Sequence, residues 1–276
     1  MAAPSKSIVD GVLKMALEIV EPTMQECSQD ERREIQEHMR NCAEKEATLT
    51  NFLADFSKLP DAKMREKLRK HLSDEDYKKI SEYVDDETFT MIITGSRATF
   101  ERGGKKFLDP IQLTSMEGIA YASTLQIASI VTECIFLVLG VIGVKVILKE
   151  TLIRKIIQEI IPVVEQPAFR RIIDEFLQSW TTGSTWGKAK AIFTLLKDTY
   201  SFGIFWKVIK IALSEMSWLD RIKTIALIAA TIVAAFATDG IALIAKITLS
   251  VNDTHNLGKK VINMTTLKAL AADVRK

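Results

Sequence analysis

Apolar residues recur along most of the chain at intervals of three, four and seven residues, which is the spacing of amphipathic helices. One such helix is predicted over 29–58, and dense apolar stripes follow over 152–164 and 169–180. Shorter helical patterns cover 186–200 and 203–216. No segment shows a convincing alternation of apolar and polar residues. The pattern therefore predicts an all-α protein, a bundle of ten or more helices around two apolar central ones.

Helix start and stop signals agree with this periodicity. Five segments place an acidic residue three positions after a serine or threonine, which is the capping-box spacing or its aspartate variant. They begin at Ser7, Ser28, Ser73, Thr114 and Ser217. Pro162 is expected to end or kink the helix over 152–164, and Pro167 suits the first turn of the next helix.

Charge and glycine content divide the chain. Residues 1–110 carry 18 Lys/Arg and 22 Asp/Glu, whereas the longer and more apolar stretch 111–276 carries 19 and 13. Residues 88–110 include three glycines and form the least regular stretch. We predict a charged amphipathic helical region over 1–87, a linker or irregular loop over 88–110 and an apolar helical bundle over 111–276. Neither part has the dense basic stripe that nucleic-acid binding requires.

Two nearly uncharged segments, 127–147 and 222–238, carry most of the functional interpretation. The first contains 13 Ile, Val, Leu or Phe residues, and its charged residues are Glu133 and Lys145. Thirteen such residues favour membrane insertion by about 4–8 kcal/mol, and Glu133 opposes it by about 2.5–3.5 kcal/mol. Insertion is thus close to balanced. At about 1.5 Å per residue, the segment is long enough to cross roughly 30 Å of hydrocarbon.

Small residues in both segments indicate helix packing. Gly140 and Gly143 lie along one face of the first segment, and Ala226, Ala230 and Ala234 form a small-xxx-small edge on the second. Three interpretations stay open. The segments are core helices of an all-α domain, or a hairpin that is sheltered until it enters a bilayer, as in colicin-type pore formers, or permanent membrane helices.

The membrane hypothesis assigns a role to two acids, Glu133 and Asp239. Desolvation favours the neutral form of a carboxyl group in an apolar helix, so mild acid is expected to favour insertion. In the alternative, each acid pairs with a lysine or arginine or caps a helix. For Asp239, which precedes Gly240, capping is the favoured alternative.

Lysine and aromatic residues alternate in the C-terminal part, as they do in helices that lie on anionic membranes. In the alternative, they form a solvated lysine face over an aromatic core stripe. The candidate lipid contacts are Trp186, Lys188, Lys190, Trp206, Lys207, Lys210 and Trp218.

No pattern nominates a catalytic, metal or cofactor site. The three histidines lack the spacing of zinc ligands, residues 95–106 fail the phosphate-loop pattern, and no nucleophile motif is present. The three scattered cysteines predict reduced thiols, and the first residues do not resemble a signal peptide. We therefore expect a non-enzymatic cytoplasmic protein, associated with membranes under some conditions, that uses no metal or cofactor.

Two stretches of the chain resemble other proteins. The run Gly183-Ser184-Thr185-Trp186-Gly187-Lys188 resembles the Gly-x-Asn-Trp-Gly-Arg motif that opens the central helix of Bcl-2-type proteins, with Thr185 and Lys188 replacing Asn and Arg. This resemblance implies a helical bundle around an apolar hairpin. The last 90 residues, with a Ser-Trp turn and a Phe-Ala-Thr-Asp-Gly segment, are similar to a set of uncharacterised proteins, and that similarity implies no function.

The combined prediction is a membrane-active helical protein that inserts or forms a pore when triggered, with membrane lipid as its partner. In the alternative, the same segments line an interface or a cavity. The protein is then a soluble, non-enzymatic all-α protein that assembles with copies of itself or carries an apolar ligand.

Overall fold

Helices make up 76% of the computed structural model, which describes residues 6–53, 55–81, 88–251 and 255–275. This confirms the prediction of an all-α, multi-helix architecture, to which the structure adds a small sheet. The predicted boundary at residue 87 and the N-terminal residues 1–5 lie outside the described residues. The described elements are α1 (Lys6–Val20), α2 (Gln29–Phe52), α3 (Asp61–His71), α4 (Asp74–Ser81), β1 (Thr90–Thr94), β2 (Arg97–Arg102), β3 (Lys105–Gln112), α5 (Met116–Val141), α6 (Glu150–Val164), α7 (Pro167–Thr182), α8 (Thr185–Ser201), α9 (Ile204–Ala212), α10 (Trp218–Ala237), α11 (Ile241–Val251) and α12 (His255–Val274).

The chain divides into two units, each assembled from separate parts of the sequence. The first unit comprises the described residues of 1–83, 138–145 and 213–251. The second comprises those of 84–137, 146–212 and 252–276. Most of α5 belongs to the second unit, and its last turn belongs to the first.

In the first unit, α10 packs against α1 and α2, and α11 packs against α2, α3 and α4. The N-terminus of α2 has the predicted capping box, in which the Ser28 hydroxyl accepts from the Glu31 N–H and the Glu31 carboxylate accepts from the Ser28 N–H. Ser73 and Ser217 also cap helices as predicted. Ser7 instead lies inside α1. Local sequence signals therefore place most of these helix starts correctly.

In the second unit, β1, β2 and β3 form an antiparallel sheet. The prediction that the chain has no strands, and that residues 88–110 form an irregular loop, is therefore wrong. Gly103 and Gly104, at φ of +56° and +73°, form a two-residue turn between β2 and β3. Such Gly-Gly turns suit the twist of a hairpin because both positions need positive φ. The sheet has a buried aromatic cluster, formed by Phe89, Phe100 and Phe107.

The apolar helix α5 begins one residue later than the predicted cap at Thr114 implies, and it ends before the predicted apolar segment 127–147 does. It begins at Met116, where the Ser115 hydroxyl rather than that of Thr114 accepts from the Gly118 N–H. It ends at Val141, and the Val144 N–H donates to the Leu139 carbonyl at 2.8 Å. Gly143 has a φ of +86° in this turn. Its predicted position on a helix face is therefore wrong, because the backbone has left the helix there.

The remaining helices of the second unit follow the predicted stripes. α6 packs against α7 and α9, and α8 packs against α7 and α9. Pro167 is in the first turn of α7, as predicted. Pro162 lies in the last turn of α6, which continues to Val164. The helices predicted over 29–58 and 203–216 are shorter, ending at Phe52 and Ala212.

Candidate functional site

The acid of the apolar helix, Glu133, forms a buried ion pair within the second unit. Its carboxylate Oε1 lies 3.1 Å from the ammonium Nζ of Lys260 on α12. The two side chains are 1% and 3% exposed. In this structure Glu133 therefore pairs with a lysine, as the alternative to its membrane role predicted. Burial of such a pair is unfavourable unless additional hydrogen bonds satisfy both groups.

Hydrogen bonds to the segment before β1 surround this pair. Glu133 Oε1 accepts from the Thr88 N–H at 3.0 Å and from the Thr88 hydroxyl at 2.9 Å. The Thr88 hydroxyl also lies 2.5 Å from that of Ser129, one turn earlier on α5. The Lys260 ammonium donates to the Phe89 carbonyl and lies 4.9 Å from the centre of the Phe89 ring. The segment 88–89 therefore connects the acid on α5 to the base on α12.

A second contact joins α5 to α12. The side-chain amide of Gln126 donates to the Lys260 carbonyl at 3.0 Å. We refer to Thr88, Gln126, Ser129, Glu133 and Lys260 as the buried polar cluster. All five residues are buried. Two oxygens of the cluster, Gln126 Oε1 and Glu133 Oε2, have no hydrogen-bond partner among the described residues. The cluster consequently holds α5 in the fold by polar contacts that hydrocarbon could not replace.

Lys260 was not predicted, although the sequence contains a signal for it. Leu257, Val261, Met264 and Leu267 form the buried stripe of α12. Lys260 falls on that stripe at helical spacing, where a charged residue needs a partner. Periodicity alone identifies the stripe but not the acid that it faces.

Asp239, the second predicted pH-responsive acid, is exposed in the turn between α10 and α11 of the first unit. Its φ is +52°, and the adjacent Gly240 has a φ of +69°. The Asp239 side chain makes no hydrogen bond or ion pair with any residue that the structure describes. The predicted pH response required an acid enclosed in an apolar helix, whereas Asp239 is exposed in a turn.

The predicted packing residues lie at different depths. Ala226, Ala230 and Ala234 are at most 1% exposed on α10, the helix that packs against α1 and α2. Gly140 is half-buried in the last turn of α5, and Gly143 is exposed beyond its end. Close helix packing therefore involves the alanine edge.

The predicted lipid-contact residues lie in both units. On α8 and α9 of the second unit, Lys190, Lys207 and Lys210 are exposed, and Trp186, Lys188 and Trp206 are half-buried. The Lys188 ammonium lies 5.5 Å from the centre of the Trp180 ring, a cation–π contact within the protein. Trp218, the first residue of α10 in the first unit, is 41% exposed.

By length and composition, α5 is long and apolar enough to cross a membrane, with a mean hydropathy of 1.9. However, 94% of its most apolar window is buried, as in a core helix. Among the described helices, α10 and α11 meet the same criteria only when taken together, and they are bent by 109°. A buried core helix and a membrane span therefore pass the same test of length and composition.

No protein-family model, curated protein or solved structure matches the chain.

Proposed function

We propose that the protein is membrane-active and that α5 is the segment that enters the bilayer when a trigger disrupts the buried polar cluster. The observation that carries this proposal is an apolar helix of 26 residues whose acid is neutralised by one lysine of another helix. Such a helix is about 39 Å long, more than the roughly 30 Å of hydrocarbon.

Burial favours conditional insertion over permanent residence in a membrane. A permanent span would present an apolar surface to lipid, whereas 94% of the apolar window of α5 is buried. The cluster must be broken before α5 can leave. Breaking a buried ion pair costs about 3–5 kcal/mol, and α5 would also give up its buried apolar contacts in the fold. Insertion from the fold therefore requires a trigger that weakens this pair.

Acid is the trigger that the cluster suggests. Burial disfavours the ionised form of Glu133, and Lys260 and the two Thr88 hydrogen bonds counter that effect in the fold. Hydrocarbon supplies none of these groups and favours the neutral form. Because the inserted state lacks these compensating contacts, protonation of Glu133 stabilises it more than the fold, so lower pH shifts the equilibrium towards insertion.

Anionic lipid is the proposed surface for the first encounter. The exposed Lys190, Lys207 and Lys210 supply positive charge on α8 and α9. Basic side chains near an anionic bilayer contribute about 1 kcal/mol each. Binding should accordingly weaken when phosphatidylserine is removed or salt is raised.

A dye-release assay with phosphatidylcholine–phosphatidylserine vesicles tests the proposal. The key variant is Thr88→Cys/Ser129→Cys in a Cys134→Ala background. The two native hydroxyl oxygens are 2.5 Å apart, so a disulfide at these positions would join α5 to the segment that precedes β1. We expect release at pH 5 but not at pH 7.5 for the wild type, none for the oxidised variant, and recovery after reduction.

The matched control is Thr88→Ala/Ser129→Ala in the same background, which removes both hydroxyls without a covalent bond. It should release dye at pH 5 at least as fast as the wild type. Equal release by the oxidised and reduced disulfide variants would show that α5 does not need to leave the fold. Absence of wild-type release at both pH values would reject membrane activity.

The same burial of α5 also favours a second candidate function. In that case α5 is an ordinary core helix, and the protein is non-enzymatic and assembles with copies of itself or carries an apolar ligand. Size-exclusion chromatography with and without detergent, combined with vesicle flotation, separates the two. If the protein stays in the aqueous phase at both pH values, the second candidate function is the correct one.

A further inference from the structure

The first unit contains a cleft of about 840 Å³. Its lining comes from α2, the loop and helix at α3–α4, the end of α5, α10 and α11. Small-molecule sites in proteins have volumes of about 300–1,000 Å³. The cleft is thus large enough for a ligand of ordinary size.

The lining of the cleft combines exposed polar residues with buried apolar ones. His38, Asn41 and Lys45 line it as exposed residues, whereas Leu49 and Val141 line it as buried ones. At the side, the Phe52 ring stacks on His71, with ring centres 4.4 Å apart. This lining suits a molecule with a mostly apolar body.

The lining includes one buried carboxylate, that of Glu46 on α2, which is 2% exposed. Its Oε2 accepts from the Lys246 ammonium at 2.5 Å. Its Oε1 has no hydrogen-bond partner among the described residues. A buried acceptor without a partner is unfavourable, so a hydrogen-bond donor bound in the cleft would stabilise this oxygen.

Charge in the lining is balanced. Three acids, Glu44, Glu46 and Asp76, accompany three lysines, Lys45, Lys79 and Lys246. A balanced lining gives an ionic ligand no net attraction. A neutral hydrogen-bond donor is sufficient for the carboxylate oxygen.

We propose that this cleft binds an uncharged small molecule with an apolar body and a hydroxyl group, and that the hydroxyl donates to Glu46. The site goes beyond membrane insertion and does not depend on it. Hydrogen bonding to the carboxylate selects hydroxyl-bearing molecules, and the apolar wall supplies affinity through burial.

The test compares two probes that differ in one donor, 2-naphthol and 2-methoxynaphthalene. Fluorescence titration of the wild-type protein at pH 7 should show saturable binding of one 2-naphthol per chain. Its methyl ether should bind at least tenfold more weakly, because it cannot donate to Glu46. Equal affinities, or no saturable binding of 2-naphthol, would overturn the proposal.

Alkylation of Cys42 locates the probe without any substitution. Cys42 lines the cleft and is half-buried, and burial raises the pKa of its thiol, whereas Cys27 and Cys134 are buried away from solvent. Saturating 2-naphthol should slow labelling of Cys42 by N-ethylmaleimide at least fivefold, as read by peptide mass spectrometry. An unchanged rate would place the probe elsewhere and reject this site.

Glu46→Leu/Lys246→Met tests the acceptor itself. Replacing both members of a buried ion pair with apolar residues is often tolerated by the fold. Affinity for 2-naphthol should fall about tenfold, to that of the methyl ether, whose own affinity should not change. The matched control, Glu18→Gln on the exposed face of α1, should leave both affinities unchanged. If the double variant does not fold, the wild-type probe comparison and the Cys42 measurement decide the question.

Discussion

Two buried glutamate–lysine pairs, one in each unit, have similar chemistry and different surroundings. Glu133 and Lys260 are 1% and 3% exposed, and Thr88 donates two hydrogen bonds to the acid. Glu46 and Lys246 are 2% and 14% exposed, and both line a cleft. Each acid has one oxygen without a hydrogen-bond partner among the described residues.

The surroundings determine what each pair can do. The first pair is enclosed by protein groups, so its strength controls whether α5 stays in the fold. The second pair borders open space, so a ligand can approach it. A buried charge pair is therefore not by itself a sign of a binding site. The open cleft beside the second pair distinguishes the two cases.

The largest expected effect is that of Lys260→Met. It leaves Glu133 buried without its counter-charge, and we expect a loss of about 3–5 kcal/mol in the free energy of unfolding, measured with urea at pH 7.5. The matched control is Lys259→Met, at the adjacent exposed position. If the two variants were equally stable, the enclosed pair would have no special importance.

A smaller loss is expected for Lys246→Met. Because the cleft allows water to reach the neighbourhood of Glu46, we expect about 1–3 kcal/mol, the range for a buried polar group left unsatisfied. Lys45→Met, an exposed substitution at the mouth of the same cleft, provides the comparison. A loss as large as that of Lys260→Met would contradict the distinction between the enclosed and open pairs.

The smallest effect is expected at an exposed pair, in which the Lys223 ammonium lies 2.7 Å from the Glu34 carboxylate. The hydrogen bond to Glu34 raises the pKa of Lys223. Its contribution is present at neutral pH and is lost only as pH rises through that raised value. Glu34→Gln should lower the urea midpoint slightly at low salt, compared with the control Glu37→Gln at another exposed position of α2. Added salt should abolish the difference between the two variants. A salt-independent loss would mean that the pair behaves as a buried one.

Helix positions were largely predictable because their signals are local. The capping box at Ser28, the proline that opens α7 and the buried stripe of α6 all depend on residues within a few turns of one another. The sheet was missed because apolar and polar residues alternate weakly in its strands; β3, for example, has one buried residue among its eight. The Gly103-Gly104 turn, followed by alternation in β2 of buried Ala98 and Phe100 with more exposed neighbours, was the available signal.

Only some residues of the candidate sites could be predicted from the sequence. Glu133 stood out as an acid in an apolar helix, but its partner could not be inferred, because Lys260 is distant in sequence and enters the site through the packing of α12. Glu46 and Lys246 are 200 residues apart. Their pairing depends on the packing of α11 against α2.

The amino-acid sequence by itself determined where helices form and which of them are apolar, because propensity, capping and periodicity act over a few residues. Only the tertiary structure decided which charges meet and which are enclosed. It also decided that α5 is buried and that Asp239 is exposed. Those properties depend on solvent access, which is set by residues far apart in the chain, and the same apolar helix suits a protein core or a bilayer until its neighbours are known.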